Sequence, residues 1–208
     1  SLPLILAAKL MKLDIYLLEP NQVLGRANKF YLNFSKKIFC YSEKIKYFPD
    51  KFSKKIVTIN PLVRKNNYTL KGSSEKKDMF TLLIVGGSQG AKIFDKDLKY
   101  SIVNISKKIQ IRIIQQTNET NIDKLNDFYS KNNIESKIFS YDKNFAHKVQ
   151  ESDICITRAG ASTLAELSII NIPFIAVPLP SSKDNHQLEN ANFYKDRGCC
   201  WVIDQDNF

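Results

Sequence analysis

Neither of the two familiar phosphate loops occurs in this 208-residue chain. A Walker loop ends in Gly-Lys-Ser/Thr, and here Gly90 is followed by Ala91 and Lys92. The dinucleotide fingerprint G-x-G-x-x-G is missing too, because the glycines of "LLIVGGSQGA" (82–91) are spaced G-G-x-x-G. Cysteine is scarce. Cys40, Cys155, Cys199 and Cys200 form no C-x-x-C pair, and an adjacent Cys-Cys is a poor start for a disulfide framework or a zinc site. A reducing, cytoplasmic setting fits that usage. Long hydrophobic runs are lacking as well: "LPLILAAKLMKLDIYLL" (2–18) is broken by Lys9, Lys12 and Asp14, which excludes a spanning helix and a signal peptide. It does not exclude lying on a membrane. No D-x-D-like metal motif stands at a strand end, and no internal repeat or low-complexity tract is present. The interleaving of aromatics with a basic stripe that nucleic-acid binding calls for is also absent.

What is present is an ordinary globular composition, 43% hydrophobic and 25% charged, with a formal net charge of +10. The excess is concentrated between Arg26 and Lys77, as in "SKKIFCYSEKIKYFPDKFSKK" (35–55). Such a face suits an anionic membrane surface or an acidic substrate, or is a solvated lysine-rich surface and nothing more. The chain opens at Ser1 within sequence that reads as structured, and it stops at Phe208 without a polar tail. A fragment is the expectation.

Hydrophobic periodicity predicts a helix over 2–12, a short buried strand over 14–19 and a helix from about Leu24, then strands over 36–42 and 54–60. The polar stretch 60–78, with Pro61, Gly72 and paired serines, is the best linker candidate. Alternation then restarts. Strands are predicted at 80–85, 109–115, 137–140, 153–157, 173–177 and 199–204. Helices are predicted from the glycine turn to about Lys107, then at 119–132, 144–151, 162–170 and 185–197. Repeating βα units with apolar strands predict an α/β fold with a doubly wound parallel sheet, whose ligands bind at the carboxyl ends of the strands.

Four loops fall at those ends. Gly86-Gly87-Ser88-Gln89-Gly90 offers backbone N–H groups, a hydroxyl and a helix start, which together suit a diphosphate; a tight turn that needs glycine only for its shape is the plainer reading. In "TRAGASTLAEL" (157–167), Gly160 is expected to allow a sharp turn, with Ala161, Ser162 and Thr163 exposing N–H groups at a helix start. Thr163-Leu164-Ala165-Glu166 matches a capping box, so Glu166 either caps its own helix or takes the hydroxyls of a ribose. In "VPLPSSKDNHQLENA" (177–191), the cluster Asp184, Asn185, His186 and Gln187 is of the kind that reads sugar hydroxyls, and a lone histidine before glutamine is no metal site. "SYDKNF" (140–145) reads as a surface loop.

"LLIVGGSQGAK", "ITRAGASTLAEL", "IPFIAVPLP" and "DNHQLENA" together resemble, in order and spacing, the MurG family of N-acetylglucosaminyltransferases. The upstream "SLPLILAAKLMKLDIYLLEPNQVLGRANK" and "INPLVR" are similar to the same family. The resemblance implies a GT-B architecture: 1–68 as the second half of an N-terminal, acceptor-side Rossmann-like domain, 69–78 as a linker, and 79–208 as most of a C-terminal UDP-sugar-binding domain. It implies inverting transfer of N-acetylglucosamine from UDP-N-acetylglucosamine to an undecaprenyl-linked muramoyl-pentapeptide, without metal or cofactor. The setting it implies is peripheral, on the cytoplasmic face of the bacterial inner membrane, in contact with anionic lipid and with no nucleic-acid partner.

Carried over, Ser88 and Gln89 sit at the phosphates and sugar, and Ala161, Ser162, Thr163, Leu164 and Glu166 line the nucleotide, with Glu166 on the ribose. Gln187 and His186 read the N-acetylglucosamine hydroxyls, Asn21 reaches the sugar from across the cleft, and Arg64 lies against the nucleotide. The chain departs from the family at Leu18-Glu19-Pro20-Asn21, where H-E-Q-N is usual, at Ile59, and at Asp142, where an apolar residue often reads uracil through its backbone. The family's T-G-G-H loop, with the histidine proposed to activate the acceptor, falls upstream of Ser1, so no catalytic residue is assigned. A chain without that loop is expected to bind donor poorly and to turn nothing over. The alternatives are another UDP-sugar-dependent GT-B glycolipid transferase and a non-catalytic nucleotide-sugar-binding module.

Overall fold

A computed structural model of the chain describes residues 2–63, 79–87 and 92–207. The first part carries α1 (Leu2–Leu10), β1 (Tyr16–Glu19), α2 (Arg26–Tyr31), β2 (Lys37–Cys40) and β3 (Ile56–Thr58). The three strands form a parallel sheet in the order β1-β2-β3. Lys54 and Lys55, predicted as the start of a strand, end a 3-10 turn over Asp50–Lys55 instead. Lys55 Nζ is held by the carbonyls of Leu32 and Ser35. Ile15, Leu17, Leu24, Leu32, Ile38 and Ile45 make the core of this part, with Ile5 and Ala8 of α1 packed against it.

The second part holds β4 (Phe80–Val85), α3 (Lys99–Ser106), β5 (Ile111–Gln116), α4 (Ile122–Lys131), β6 (Glu135–Phe139) and α5 (Phe145–Gln150). β7 (Ile154–Thr157), α6 (Ala161–Ile170), β8 (Phe174–Ala176), α7 (His186–Lys195) and β9 (Cys200–Val202) follow. All six strands are parallel, in the order β6-β5-β4-β7-β8-β9. β4 lies in the middle and, after Phe80, is buried throughout, as a strand covered on both faces must be. Its side chains alternate. Leu83 and Val85 join Leu164, Leu167, Phe174 and Ala191 under α6 and α7, whereas Leu82 and Ile84 join Phe94, Ile102, Leu125 and Tyr129 under α3 and α4. The predicted doubly wound sheet is what forms, each strand within a few residues of its predicted span.

The helix after the glycine turn is not regular. It widens into a π-helix over Phe94–Leu98 before continuing as α3. This segment turns Asp95 onto a polar network at the ends of β4 and β5: Asp95 accepts from Gln115 Nε2 (2.9 Å), Thr117 Oγ1 (2.6 Å) and Asn121 Nδ2 (3.0 Å). Tyr129 closes it by donating to Gln115 Oε1 at 2.8 Å. Gln115 and Tyr129 are fully buried, so each bond is one that water cannot replace. Tyr129→Phe leaves the Gln115 oxygen without its donor, and urea denaturation should show a loss of about 1–3 kcal/mol.

Burial also pushes the thiols of Cys40 and Cys200 up from 9.0 to about 11. It raises the Cys155 thiol and the Tyr129 and Tyr194 phenols further. A group whose pKa rises on folding supports the fold as long as it keeps its proton, and that support is lost as pH climbs toward the folded value. The urea midpoint should therefore stay level up to the ordinary thiol value of 9.0 and fall between there and about 11.

Candidate functional site

The strand order reverses at β4. From it the chain winds outward through β5 and β6, then returns to lay β7 on its other edge. Loops leaving β4 and β7 part in opposite directions, and a crevice opens between them at the carboxyl ends. A cleft of about 1060 Å³ occupies that position, walled by Gly86 and Gly87 after β4 and by Arg158 and Gly160 after β7. Ala161, Ser162 and Thr163 continue the β7 side, Ser182 comes from the β8–α7 loop, and His186 and Gln187 from the start of α7. Pro20 and Asn21, from the first sheet, close the far side. The cleft thus brings together six of the predicted residues: Asn21, Ala161, Ser162, Thr163, His186 and Gln187. Arg64, Ser88 and Gln89 lie outside the described residues.

The two glycine positions differ. Gly87 has φ +76°, the left-handed region where only glycine is unstrained. Gly160 has φ −71° and ψ 133°, open to any residue, so the predicted need for glycine to make a sharp turn does not hold. A Cβ built on it meets nothing within 4 Å. Gly160 is the N-cap of α6, and no side chain caps this helix. The predicted capping box does not form. Thr163 is already the third helical residue, and Glu166 sits a turn further on. The first bond along the helix runs from Leu164 N to Gly160 O at 3.0 Å. The N–H groups of Ala161, Ser162 and Thr163 therefore find no acceptor among the described residues, at the positive end of the helix dipole and on the cleft wall. Leu164 is fully buried in the core and supplies packing. Glu166 is half-buried and does not line the described part of the cleft.

Arg158 belongs to the site although the sequence reading left it as part of a motif. Its guanidinium donates to Val177 O (3.1 Å), Pro178 O (3.3 Å) and Gln205 Oε1 (2.6 Å), and lies 5.3 Å from the centre of the Phe94 ring. Burial lowers its pKa, but a guanidinium keeps its charge regardless. A fixed positive charge thus stands between the two strand ends. At the start of α7, Gln187 Oε1 accepts from Leu179 N of the β8–α7 loop at 3.0 Å, which leaves its NH₂ for the cleft. His186 Nδ1 is 2.8 Å from Lys183 O. A carbonyl only accepts, so Nδ1 carries the proton and a neutral ring keeps Nε2 as an acceptor. Asp184 and Asn185 both have φ 55°, a left-handed pair before α7 that these two residue types tolerate better than most.

Two further residues hold Asn21 in place. Glu19 is 2% exposed, and its carboxylate accepts from Asn21 N (3.2 Å), Asn21 Nδ2 (3.1 Å), Gly25 N (2.7 Å) and Asn28 Nδ2 (3.0 Å). It pins the loop that carries Asn21. Asn190 of α7, equally buried, accepts from Gln22 N (2.9 Å) and donates to Asn21 Oδ1 (3.0 Å) and Ala159 O (3.2 Å). One amide thereby joins the first sheet's loop, α7 and the β7–α6 loop. Exposed ion pairs Arg26–Asp184 (3.2 Å) and Lys46–Glu189 (2.7 Å) flank it. Asp142 lies away from the described cleft walls, paired with the buried Lys148. That pairing, with an N–H bond from Asn144, lowers its pKa. Among the described residues no group of His, Cys, Asp and Glu is arranged to hold a metal ion.

Comparison with known proteins agrees with this geometry. Residues 81–208 match the glycosyltransferase family 28 C-terminal domain. The Pelagibacter ubique UDP-N-acetylglucosamine--N-acetylmuramyl-(pentapeptide) pyrophosphoryl-undecaprenol N-acetylglucosamine transferase is 48% identical over 205 residues, which is 99% of this chain and 58% of that protein. Its counterpart of the same name in Rickettsia felis is 38% identical over 97% of this chain and 59% of its own length. The crystal structure of Acinetobacter baumannii MurG superposes with a TM-score of 0.74 at 27% identity, over 98% of this chain and 57% of that one. A Methanocaldococcus jannaschii UDP-GlcNAc 2-epimerase, at 14% identity and a TM-score of 0.53 over 96% of this chain and 61% of its own, shares the fold. The chain thus spans under two thirds of the relatives it matches. With a six-stranded sheet that reverses at β4, a glycine turn and an uncapped helix start at the reversal, and a match over most of that sheet, this chain belongs to glycosyltransferase family 28.

Proposed function

We propose that the cleft holds UDP-N-acetylglucosamine and that the chain is the donor-binding part of an inverting N-acetylglucosaminyltransferase. In this reading residues 79–208 bind the donor, 1–68 belong to the acceptor side, and 69–78 join them. The observation that carries the reading is the convergence at one strand reversal of the glycine turn, the N–H donors of α6 and the pinned Arg158. These groups suit a diphosphate, and the names of the relatives supply the sugar and the acceptor.

The reaction is a displacement at the anomeric carbon. The acceptor hydroxyl gives its proton to a base, its oxygen bonds the anomeric carbon from the face opposite the departing UDP, and the bond to UDP breaks, so configuration inverts. Negative charge grows on the diphosphate as its bond to carbon breaks, and the α6 N–H groups and the charge of Arg158, both on the cleft wall, offset it. Gln187 and His186 face the sugar from the start of α7 and Asn21 from across the cleft, while Glu166 is assigned the ribose, and Ser88, Gln89 and Arg64 the phosphates and nucleotide. The acceptor is a lipid-linked muramoyl-pentapeptide and the product a disaccharide precursor of peptidoglycan.

Peripheral contact with an anionic membrane surface, on the cytoplasmic face of the bacterial inner membrane, belongs to the same proposal. The net charge of +10 supports it, and no helix among the described residues is long and apolar enough to cross a membrane.

Calorimetry with UDP-N-acetylglucosamine tests the donor site. Saturable binding, weak but preferring this sugar to UDP-glucose and lost in Glu166→Ala, is the expected result; folded protein that binds no donor at millimolar concentration, and still none when joined to the upstream segment of its relatives, would overturn the reading. Ala161→Pro is a sharper probe, because proline is tolerated at the first position of a helix, Gly160 before it is already extended (φ −71°, ψ 133°), and the change removes one N–H. Fold and melting should be retained, and UDP affinity should drop by about tenfold, the equivalent of one charge-assisted hydrogen bond.

A further inference from the structure

Beside the donor cleft lies a second, smaller groove of about 240 Å³ that the transferase reading leaves unused. Four lysines line it: Lys92, Lys96 and Lys99 along the helix that follows the glycine turn, and Lys124 facing them from α4. The three on one helix fall at i, i+4 and i+7, neighbours on a single face, where like charges repel. None of the four makes an ion pair among the described residues, unlike Lys36, Lys46 and Lys148, which have carboxylate partners. Among the described residues the one carboxylate in the wall is Asp95, and both of its oxygens already accept bonds from Gln115, Thr117 and Asn121. Lys99 Nζ lies over the rings of Tyr100 (5.2 Å) and Phe128 (4.8 Å), cation–π contacts that hold the ammonium in place without neutralising its charge. A concave site with four positive groups, one occupied carboxylate and a leucine floor, Leu125, is built for an anion.

We propose that this groove is a second anion site, which takes a phosphate or diphosphate group. Its volume is too small for a whole nucleotide, since drug-sized ligands fill about 300–1,000 Å³, but it admits a diphosphate. Lys92 lines both this groove and the donor cleft. An anion held here therefore lies next to the diphosphate-binding end of the cleft without occupying it. The site does not depend on the identity of the donor.

Titration of the chain with inorganic pyrophosphate in phosphate-free buffer, followed by calorimetry, tests the proposal. The expected result is saturable binding that persists when UDP is present in excess. It should weaken by about tenfold or more in Lys96→Gln/Lys124→Gln, and return in Lys96→Arg/Lys124→Arg. Neither residue lines the donor cleft, so UDP affinity and circular dichroism should be unchanged in both variants. Failure to bind pyrophosphate, its complete displacement by UDP, or equal binding by the glutamine variant would overturn the proposal, whatever UDP itself does. Co-sedimentation with phosphatidate vesicles that the glutamine variant loses assigns the anion to a lipid headgroup. Pyrophosphate binding without co-sedimentation assigns it to a free phosphate compound.

Discussion

The site depends on a constraint of topology. A parallel strand paired on both edges by strands that wind away in opposite directions cannot have its following loop covered by either neighbour's loop. β4 is that strand, and its partners β5 and β7 leave toward opposite flanks of the sheet. The gap at its carboxyl end is fixed by chain connectivity before any side chain is chosen. What the sequence then does is furnish it: a glycine with positive φ where the backbone must turn at once, and a helix start on the other bank whose first donors find no acceptor among the described residues.

A second constraint is that the far wall belongs to another sheet, so the cleft is only as well defined as the joint between the two. At the centre of that joint is a buried, bonded amide, with two exposed ion pairs flanking it. Asn190 uses its amide oxygen on one part of the molecule and its NH₂ on Asn21 and the β7–α6 loop. Glu19 satisfies its carboxylate with four donors inside its own loop. Such polar groups contribute little net stability once solvation is counted. Their effect is to allow one geometry and no other, which a recognition site requires more than it requires strength.

The fold was legible because apolar strands buried on both faces leave an unmistakable pattern, and because 80–85 is bounded by a glycine turn. Register and boundaries shifted by one to three residues, as where a 3-10 turn claims Lys54 and Lys55. The capping box misled for a specific reason. Four residues spaced T-x-x-E fit a cap only if the helix begins at the threonine, and here the chain turns helical two residues earlier, at Ala161. Glu19, Asn190 and Arg158 were harder to read, since their roles exist only between segments far apart in sequence. Asn190 bonds across 168 and 169 positions. An asparagine inside a helix carries no local sign of such a bond. The π-helical widening at Phe94–Leu98 had no composition signal either; it follows from placing both Phe94 in the core and Asp95 under the sheet edge.

Gly160 has a further consequence. Its backbone would accept aspartate or serine, and there is room for the side chain. Either would be a better helix cap than glycine by a few tenths of a kcal/mol. It would also act as a tethered competitor, its own oxygen answering the donors meant for a ligand, at an effective concentration no free nucleotide matches. Under the proposed donor site, the bare position gives up a fraction of helix stability so that the α6 N–H groups are not answered by the chain's own side chain.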